Sequence, residues 1–473
     1  MKLTEYIVSL RHHITLLTKT FSNMKQKHLL IVLLVLLSMV QARADVKINA
    51  TNFPDQNFRY FIVHELLEKE YSSLWDGSNV ISDDLIAQVT AMDVSKEYIY
   101  SLKGIEFFTA LTWLKCNGTS MTELNVSGCT ALKELQCSDN DQLTTLNASG
   151  CSKLESLLCG NNPLTTLNIS GCTALRGLYC GNNKLFALHV FGCSKLERLS
   201  CGSNQLSALD VSGCTALTDL SCGNNQLTAL DVSGCTALTS LYCNKNQLTS
   251  LDVSGCPALK SLYCNENQLT ALNVSGCTSL QVQTCSYNQL TALDVSKNTA
   301  LTSLSCDYNQ LTALDVSKNT ALKELLCSNN QLTSLDVSKN TALTYLSCYN
   351  NHIYGAAMDT FIASLCYPFE TTHLQAITTD LNEGNVITTT QVEAFNGKGW
   401  NPMIGTYMGE KAGYARYKWE EYAGSDPTAI EGIESDASAS KNGSDVYFDL
   451  SGRRVMAPQK GIYVKNGRKV VVK

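Results

Sequence analysis

The chain has 473 residues, with 36 Lys and Arg against 42 Asp and Glu, and 21 cysteines. The acidic balance, a net charge of -6, excludes a surface built to neutralise phosphates, so no nucleic-acid partner is expected. Seven scattered histidines and the lack of any C-x-x-C pair leave no metal-ligand set, and no histidine accompanies a nucleophile; neither a metal, a cofactor nor an enzyme activity is expected.

Residues 24–44, "MKQKHLLIVLLVLLSMVQARA", open with Lys25 and Lys27, continue from Leu29 to Val40 with only Ser38 polar, and end in Ala42-Arg43-Ala44. That order predicts a signal peptide within residues 1–44, too short for a stable membrane span. Met1 and Met24 both remain as starts, and the first 23 residues read as an upstream-start artefact. No cysteine follows Ala44, which argues against a lipid anchor. Cleavage would leave 30 basic against 41 acidic residues, a net charge of -11.

Residues 45–88 predict a helical N-terminal cap. Phe58, Phe61, Ile62 and Leu66 fall at helical spacing after Pro54, and Ser82 with Asp83 and Asp84 starts a second helix. "DGSNVISDD" around Asp76 and Gly77 resembles a calcium loop only faintly, since Ser72 and Leu74 stand at the preceding ligand positions.

From residue 89 to 352 the chain repeats itself. An opening coil of 22 residues, 89–110, precedes twelve cysteines from Cys116 to Cys348, spaced by 21 apart from one step of 22. A second column runs from Cys129 to Cys277 and becomes Asn298, Asn319 and Asn340. Each period reads Leu-x-x-Leu-x-Cys-x-x-Asn-x-Leu, as in Leu301, Leu304, Cys306, Asn309 and Leu311. Leu304 and Cys306 alternate with Ser303 and Ser305, which predicts a short strand with one buried face, and the asparagine should satisfy backbone groups in the following bend. No coil can bury its face alone, so the stack is the fold. The thiols read as small core fillers, reduced because parallel Cβ vectors oppose bridging. The change from "SGC" to "SKN" supports that, since a ligand or bridge partner would not be so replaceable. Two positions break the pattern: Thr119 replaces the first asparagine, and Gln283 takes a leucine position in "LQVQTC".

This period resembles the internalin-type bacterial leucine-rich repeat with a cysteine ladder. The resemblance implies an α+β solenoid with short parallel strands on a concave face, capped at both ends. It also implies a secreted or surface-displayed protein that binds a protein or glycan on a host or neighbouring cell.

Residues 353–422 predict a C-terminal cap. Met358, Phe361, Ile362 and Leu365 lie at helical spacing, Thr390 with Glu393 forms a capping box, and the second helix stops at Gly397. Trp400, Tyr407, Trp419 and Tyr422 read as its core rather than a ligand site. Residues 423–444 are small, polar and acidic, a linker. Residues 445–473 form a basic β-module with Ser451-Gly452 and Asn466-Gly467 as hairpin turns. "DLSGRRV" and "KGIYVKNGRKVVVK" resemble C-terminal sorting domains of the type IX secretion system, which implies the outer surface of a Gram-negative bacterium; an ordinary small β-module is the alternative. After signal cleavage no transmembrane segment is expected, and the chain should be a monomer.

Outward strand positions vary between coils, which a binder needs and a spacer does not. Candidate ligand-binding residues are Trp113, Tyr179, Tyr242, Tyr263, Tyr287, Tyr308, Tyr345 and Tyr349, because tyrosine and tryptophan offer large rigid contact area with a polar tip. Drift at solvent-facing sites would produce the same variation, so a surface spacer without a ligand stays open.

Overall fold

The computed structural model describes residues 45–95, 97–367, 372–378, 383–411 and 414–424, together with strands between 434 and 472. The expected signal peptide, most of the linker and both hairpin turns of the C-terminal module lie outside the described residues.

The leucine and cysteine alternation produces three-residue strands, one per coil, from Ala91–Asp93 to Tyr345–Ser347. They stack in parallel within a 16-stranded sheet. The register is in phase: Leu178 stands beside Leu157 and Leu199, so each leucine adds to a continuous inner file. The return halves form shorter parallel sheets of their own, from Glu123–Asn125 to Thr166–Asn168 and from Ser250–Asp252 to Ala271–Asn273.

The asparagines do what the bend requires. Asn246 donates to the carbonyls of Cys222 and Cys243, both at 3.1 Å, and its oxygen accepts the Leu227 N–H at 3.0 Å. Thr119 fills the same position in the first coil through its backbone N–H and its hydroxyl, which donate to the Asn140 oxygen at 2.6 and 2.7 Å.

All 21 cysteines are unbridged, and every column thiol is buried. Burial pushes the Cys159 and Cys222 thiols up to about 12, so they stay protonated and inert at neutral pH. The second column does more than fill space. Cys277 Sγ donates to the Val253 carbonyl at 3.0 Å and Cys172 to Ala148 at 3.3 Å. Asn298, Asn319 and Asn340 make the same contact at 3.0 Å, to Val274, Val295 and Val316. The exchange of Cys for Asn therefore conserves a donor, while each of these asparagine oxygens is left buried without a hydrogen-bond partner.

At the N-terminal end, helical residues run from Gln56 to Glu70, with the middle stretch Phe61–Leu67 a wider π-helix, and a short helix spans Asp83–Ile86 under the Ser82 cap. Asp55 clamps the cap to the solenoid: one carboxylate oxygen caps Phe58 N at 2.8 Å and the other accepts Tyr100 N at 2.8 Å.

The C-terminal cap departs from expectation in two respects. Its capping box is Thr388 with Gln391, because Thr388 is the last extended residue whereas Thr390 already lies inside the helix Thr389–Gly397. The cap also extends the main sheet, through His373–Thr378 and the hairpin Pro402–Lys411 and Tyr414–Glu421. Asn385 becomes a further rung of the asparagine ladder, accepting Ile353 N at 2.9 Å and donating to Cys348 O at 2.8 Å. Beside it the buried Glu383 accepts Thr378 N at 2.7 Å, Asn385 N at 2.9 Å and Asn350 N at 3.0 Å, closing backbone groups that a next coil would have satisfied.

Burial raises the Glu383 carboxyl from 4.5 to about 7. The folded state therefore binds this proton more tightly than the unfolded chain, and the resulting stability is complete below 4.5 and lost as pH rises through 7. Thermal melts should show the midpoint falling across that window, and Glu383→Gln should flatten the fall; an unchanged slope in the variant would assign it to other groups.

The C-terminal module supplies four strands of a five-stranded sheet; the fifth, Glu434–Ser435, comes from the segment read as a linker and pairs parallel with Arg468–Val472. Gly461–Lys465 pairs antiparallel with Arg468–Val472, and Tyr447–Phe448 with Arg454–Val455, as two hairpins would.

Candidate binding surface

The residue two after each first-column cysteine turns the chain out of its strand in left-handed backbone, with φ near 55° from Asp139 to Asn350. Asn and Gly tolerate that geometry, and larger residues pay roughly 1 kcal/mol for it. Asn161, Asn182, Asn224, Asn329 and Asn350 follow the preference, yet four successive coils carry Lys245, Glu266, Tyr287 and Tyr308 instead. Lys245 and Glu266 pair at 3.6 Å, and the Tyr287 and Tyr308 rings stack with centroids 4.2 Å apart.

The same stretch carries the second tyrosine pair. Tyr242 and Tyr263 are register partners on neighbouring strands, and their rings stack 4.8 Å apart at an interplanar angle of 6°. Tyr242 is exposed and the other three are half-buried. Coil spacing in a parallel stack matches ring-to-ring contact, so identical positions on adjacent coils stack without further adjustment.

Of the remaining candidates, Trp113 and Tyr179 lie on other coils, while Tyr345 and Tyr349 border the patch on the side of Asp307. Trp113 stands half-buried on the strand Trp113–Lys115 near the N-terminal end. Tyr179 lies back over Gly177, where an added Cβ would meet its ring at 3.0 Å. Tyr345 sits against His373 at 5.9 Å. Tyr349 corrects the sequence expectation: it is only 9% exposed, packed between Tyr417 and Trp419 at 5.5 and 5.2 Å, because the C-terminal hairpin folds over the last coil.

Asp307 is a residue the sequence reading missed. Its carboxylate accepts Ser328 N at 2.8 Å and the Ser305 hydroxyl at 3.1 Å, and Ser305 in turn meets Ser286 at 2.7 Å. Burial raises its carboxyl to about 6, placing a titrating acid beside Tyr308. The signal was available: earlier coils hold Gly181, Gly202, Gly223, Asn244 and Asn265 at that position, and Asp307 is its acidic member. The arrangement offers aromatic area, hydroxyls and an acid, which suits recognition through contact and hydrogen bonds rather than bond chemistry.

Residues 194–234 and 236–276 match the family model described as Leucine Rich repeats (2 copies). The fold is a leucine-rich repeat solenoid. An internalin, inlF of Listeria monocytogenes, superposes with a TM-score of 0.54 at 21% identity, covering 79% of this chain and 100% of that one. A leucine-rich repeat protein of Leptospira interrogans gives 0.53 at 22% identity, covering 68% and 92%. The functional domain of InlJ from Listeria monocytogenes, described as including a cysteine ladder, is 28% identical with a TM-score of 0.44, covering 78% and 90%. No curated protein matches.

Proposed function

We propose that this leucine-rich repeat chain is a secreted or surface-displayed binding protein, adhesin-like, that recognises a protein or glycan through its strand face. The observation carrying this reading is the occupation of left-handed positions by the stacked Tyr287 and Tyr308, where five other coils use asparagine. A residue kept against its backbone preference is expected where contact with a ligand compensates. Tyr242 and Tyr263 extend the patch onto the strands, and Asp307 supplies its polar edge.

The test restores the repeat's own residues: Tyr242→Ser, Tyr263→Ser, Tyr287→Asn and Tyr308→Asn in one chain. Binding to whichever partner emerges from an array of matrix proteins and glycans should be lost, while the melting temperature holds or rises because two strained positions are relieved. Undiminished binding by the folded variant would move the site elsewhere.

The same ring stacks tie neighbouring coils together, which also suits a structural surface spacer; absence of any partner on the arrays would favour that reading.

Export is proposed from the signal-like segment, and passage to a Gram-negative outer surface from the resemblance of residues 445–473 to sorting tails. Among the described residues no helix is long and apolar enough to cross a membrane. Deleting residues 445–473 should leave solenoid stability nearly unchanged and hold the protein in the periplasm, as fractionation would show. Normal surface amounts would reduce the tail to an ordinary β-appendage.

A further inference from the structure

We propose that the return face around coil 185–193 is a self-association surface, on which a second copy of this chain docks across a two-fold axis. This goes beyond ligand recognition, since the surface lies on the opposite half of the coil from the tyrosine patch, and it departs from the monomer expected from sequence. An ordinary return half sends threonine, aspartate and serine into water, as with the exposed Thr228, Asp231 and Ser233. Here "LFALHVFGC" sends out Phe186, His189 and Phe191. Phe186 is 62% and Phe191 89% exposed. Two phenylalanines standing in water on an otherwise polar face mark a contact site.

The residues on either side select the occupant. In the column through His189, the preceding coils carry Asn125, Asn147 and Asn168, and the following coils carry Asp210, Asp231 and Asp252. Strand register joins Asn125 to Asn147, Asn147 to Asn168, and His189 to Asp210. With the two-fold axis along the strand direction of the phenylalanine coil, the solenoids run antiparallel. Asn168 then faces Asp210 of the second copy, Asn147 faces Asp231, and Asn125 faces Asp252. The Asn168 oxygen is already held by Ser170 N at 3.1 Å and the Ser170 hydroxyl at 2.8 Å, which turns its NH2 to the donor role a carboxylate needs. A parallel arrangement would instead set each aspartate against itself. On the axis the usual aspartate would also meet its own copy; His189 removes that repulsion. The strip from residue 125 to 252 is about 29 Å long at ~4.8 Å per coil, enough for a contact of ordinary size centred on the phenylalanines.

Sedimentation velocity of the full chain over a concentration series tests this. The expected result is a monomer–dimer equilibrium. Phe186→Thr with Phe191→Ser should give monomer with unchanged circular dichroism and melting temperature, both side chains being in water. Asn147→Asp with Asn168→Asp should weaken association by roughly tenfold or more, by setting like charges opposite. Adding Asp210→Asn and Asp231→Asn to that variant should restore it. A wild-type chain that stays monomeric, a dimer indifferent to the phenylalanines, or charge variants that neither weaken nor rescue would each overturn the proposal.

Discussion

Asn225→Ala should lower the stability of the solenoid by about 3 kcal/mol, a large loss for one side chain on a polar bend. The reason lies in which partners are replaceable. Asn225 donates to the carbonyls of Cys201 at 3.1 Å, Cys222 at 3.0 Å and Gly223 at 3.4 Å, and its oxygen accepts Leu206 N at 3.0 Å. The Cys201 carbonyl keeps Asn204 at 3.0 Å and the Cys222 carbonyl keeps Asn246 at 3.1 Å, so each loses one of two donors. The Leu206 N–H loses its acceptor outright inside the stack, and an orphaned buried donor costs about 1–3 kcal/mol on top of the weakened carbonyl bonds. Because each coil touches only its neighbours, the damage should fall on the coupling between two coils in mid-solenoid. Urea denaturation should show an earlier midpoint, with a broadened or split transition if the two halves then unfold separately. A midpoint unmoved by the change would mean that water replaces the side chain freely, and the ladder would not be what joins the coils.

Gln283→Leu should act in the opposite direction and stabilise the chain by about 2 kcal/mol. Gln283 is fully buried between Leu262 and Leu304 in the inner file. Its oxygen has no hydrogen-bond partner, and its NH2 finds only the Cys285 sulfur at 3.8 Å. An amide there is desolvated with almost no compensation, whereas leucine has nearly the same volume and is the residue of the neighbouring coils. A higher urea midpoint with the same slope is expected. A lower midpoint would show that a buried water or a local rearrangement satisfies the amide, and that its removal opens a cavity. Since this coil carries Tyr287 on its outer side while Gln283 points inward, the variant also separates stability from recognition: binding should persist while stability rises.

The solenoid and its inner residues were legible in the sequence because buried positions recur in fixed order. Leucine, cysteine and asparagine return every 21 residues, and inward and outward positions could be assigned by alternation alone. The two tyrosine pairs were legible as columns for the same reason. What could not be read was conformation within a column. The left-handed backbone at Tyr287 and Tyr308, shared with Ser203, Lys245 and Glu266, leaves no mark on composition once asparagine is replaced. Asp307 stood out against its column, yet its significance depends on Ser305 and Ser328 converging on it.

The ends of the stack followed a different logic. Helical spacing located both caps, but neither the added strands His373–Thr378, Pro402–Lys411 and Tyr414–Glu421 nor the burial of Tyr349 beneath Trp419 follows from any period. Glu383 and Asn385 likewise look ordinary in "LNEGN" and become ladder-closing groups only because the chain returns to Cys348 and Asn350. The sequence alone thus determined the coil, its inner file and its repeat number, since each is a local pattern multiplied. The tertiary structure decided where the ladder ends, which aromatic residues remain available and which carboxylates are buried, because each of these depends on contacts between segments that share no period.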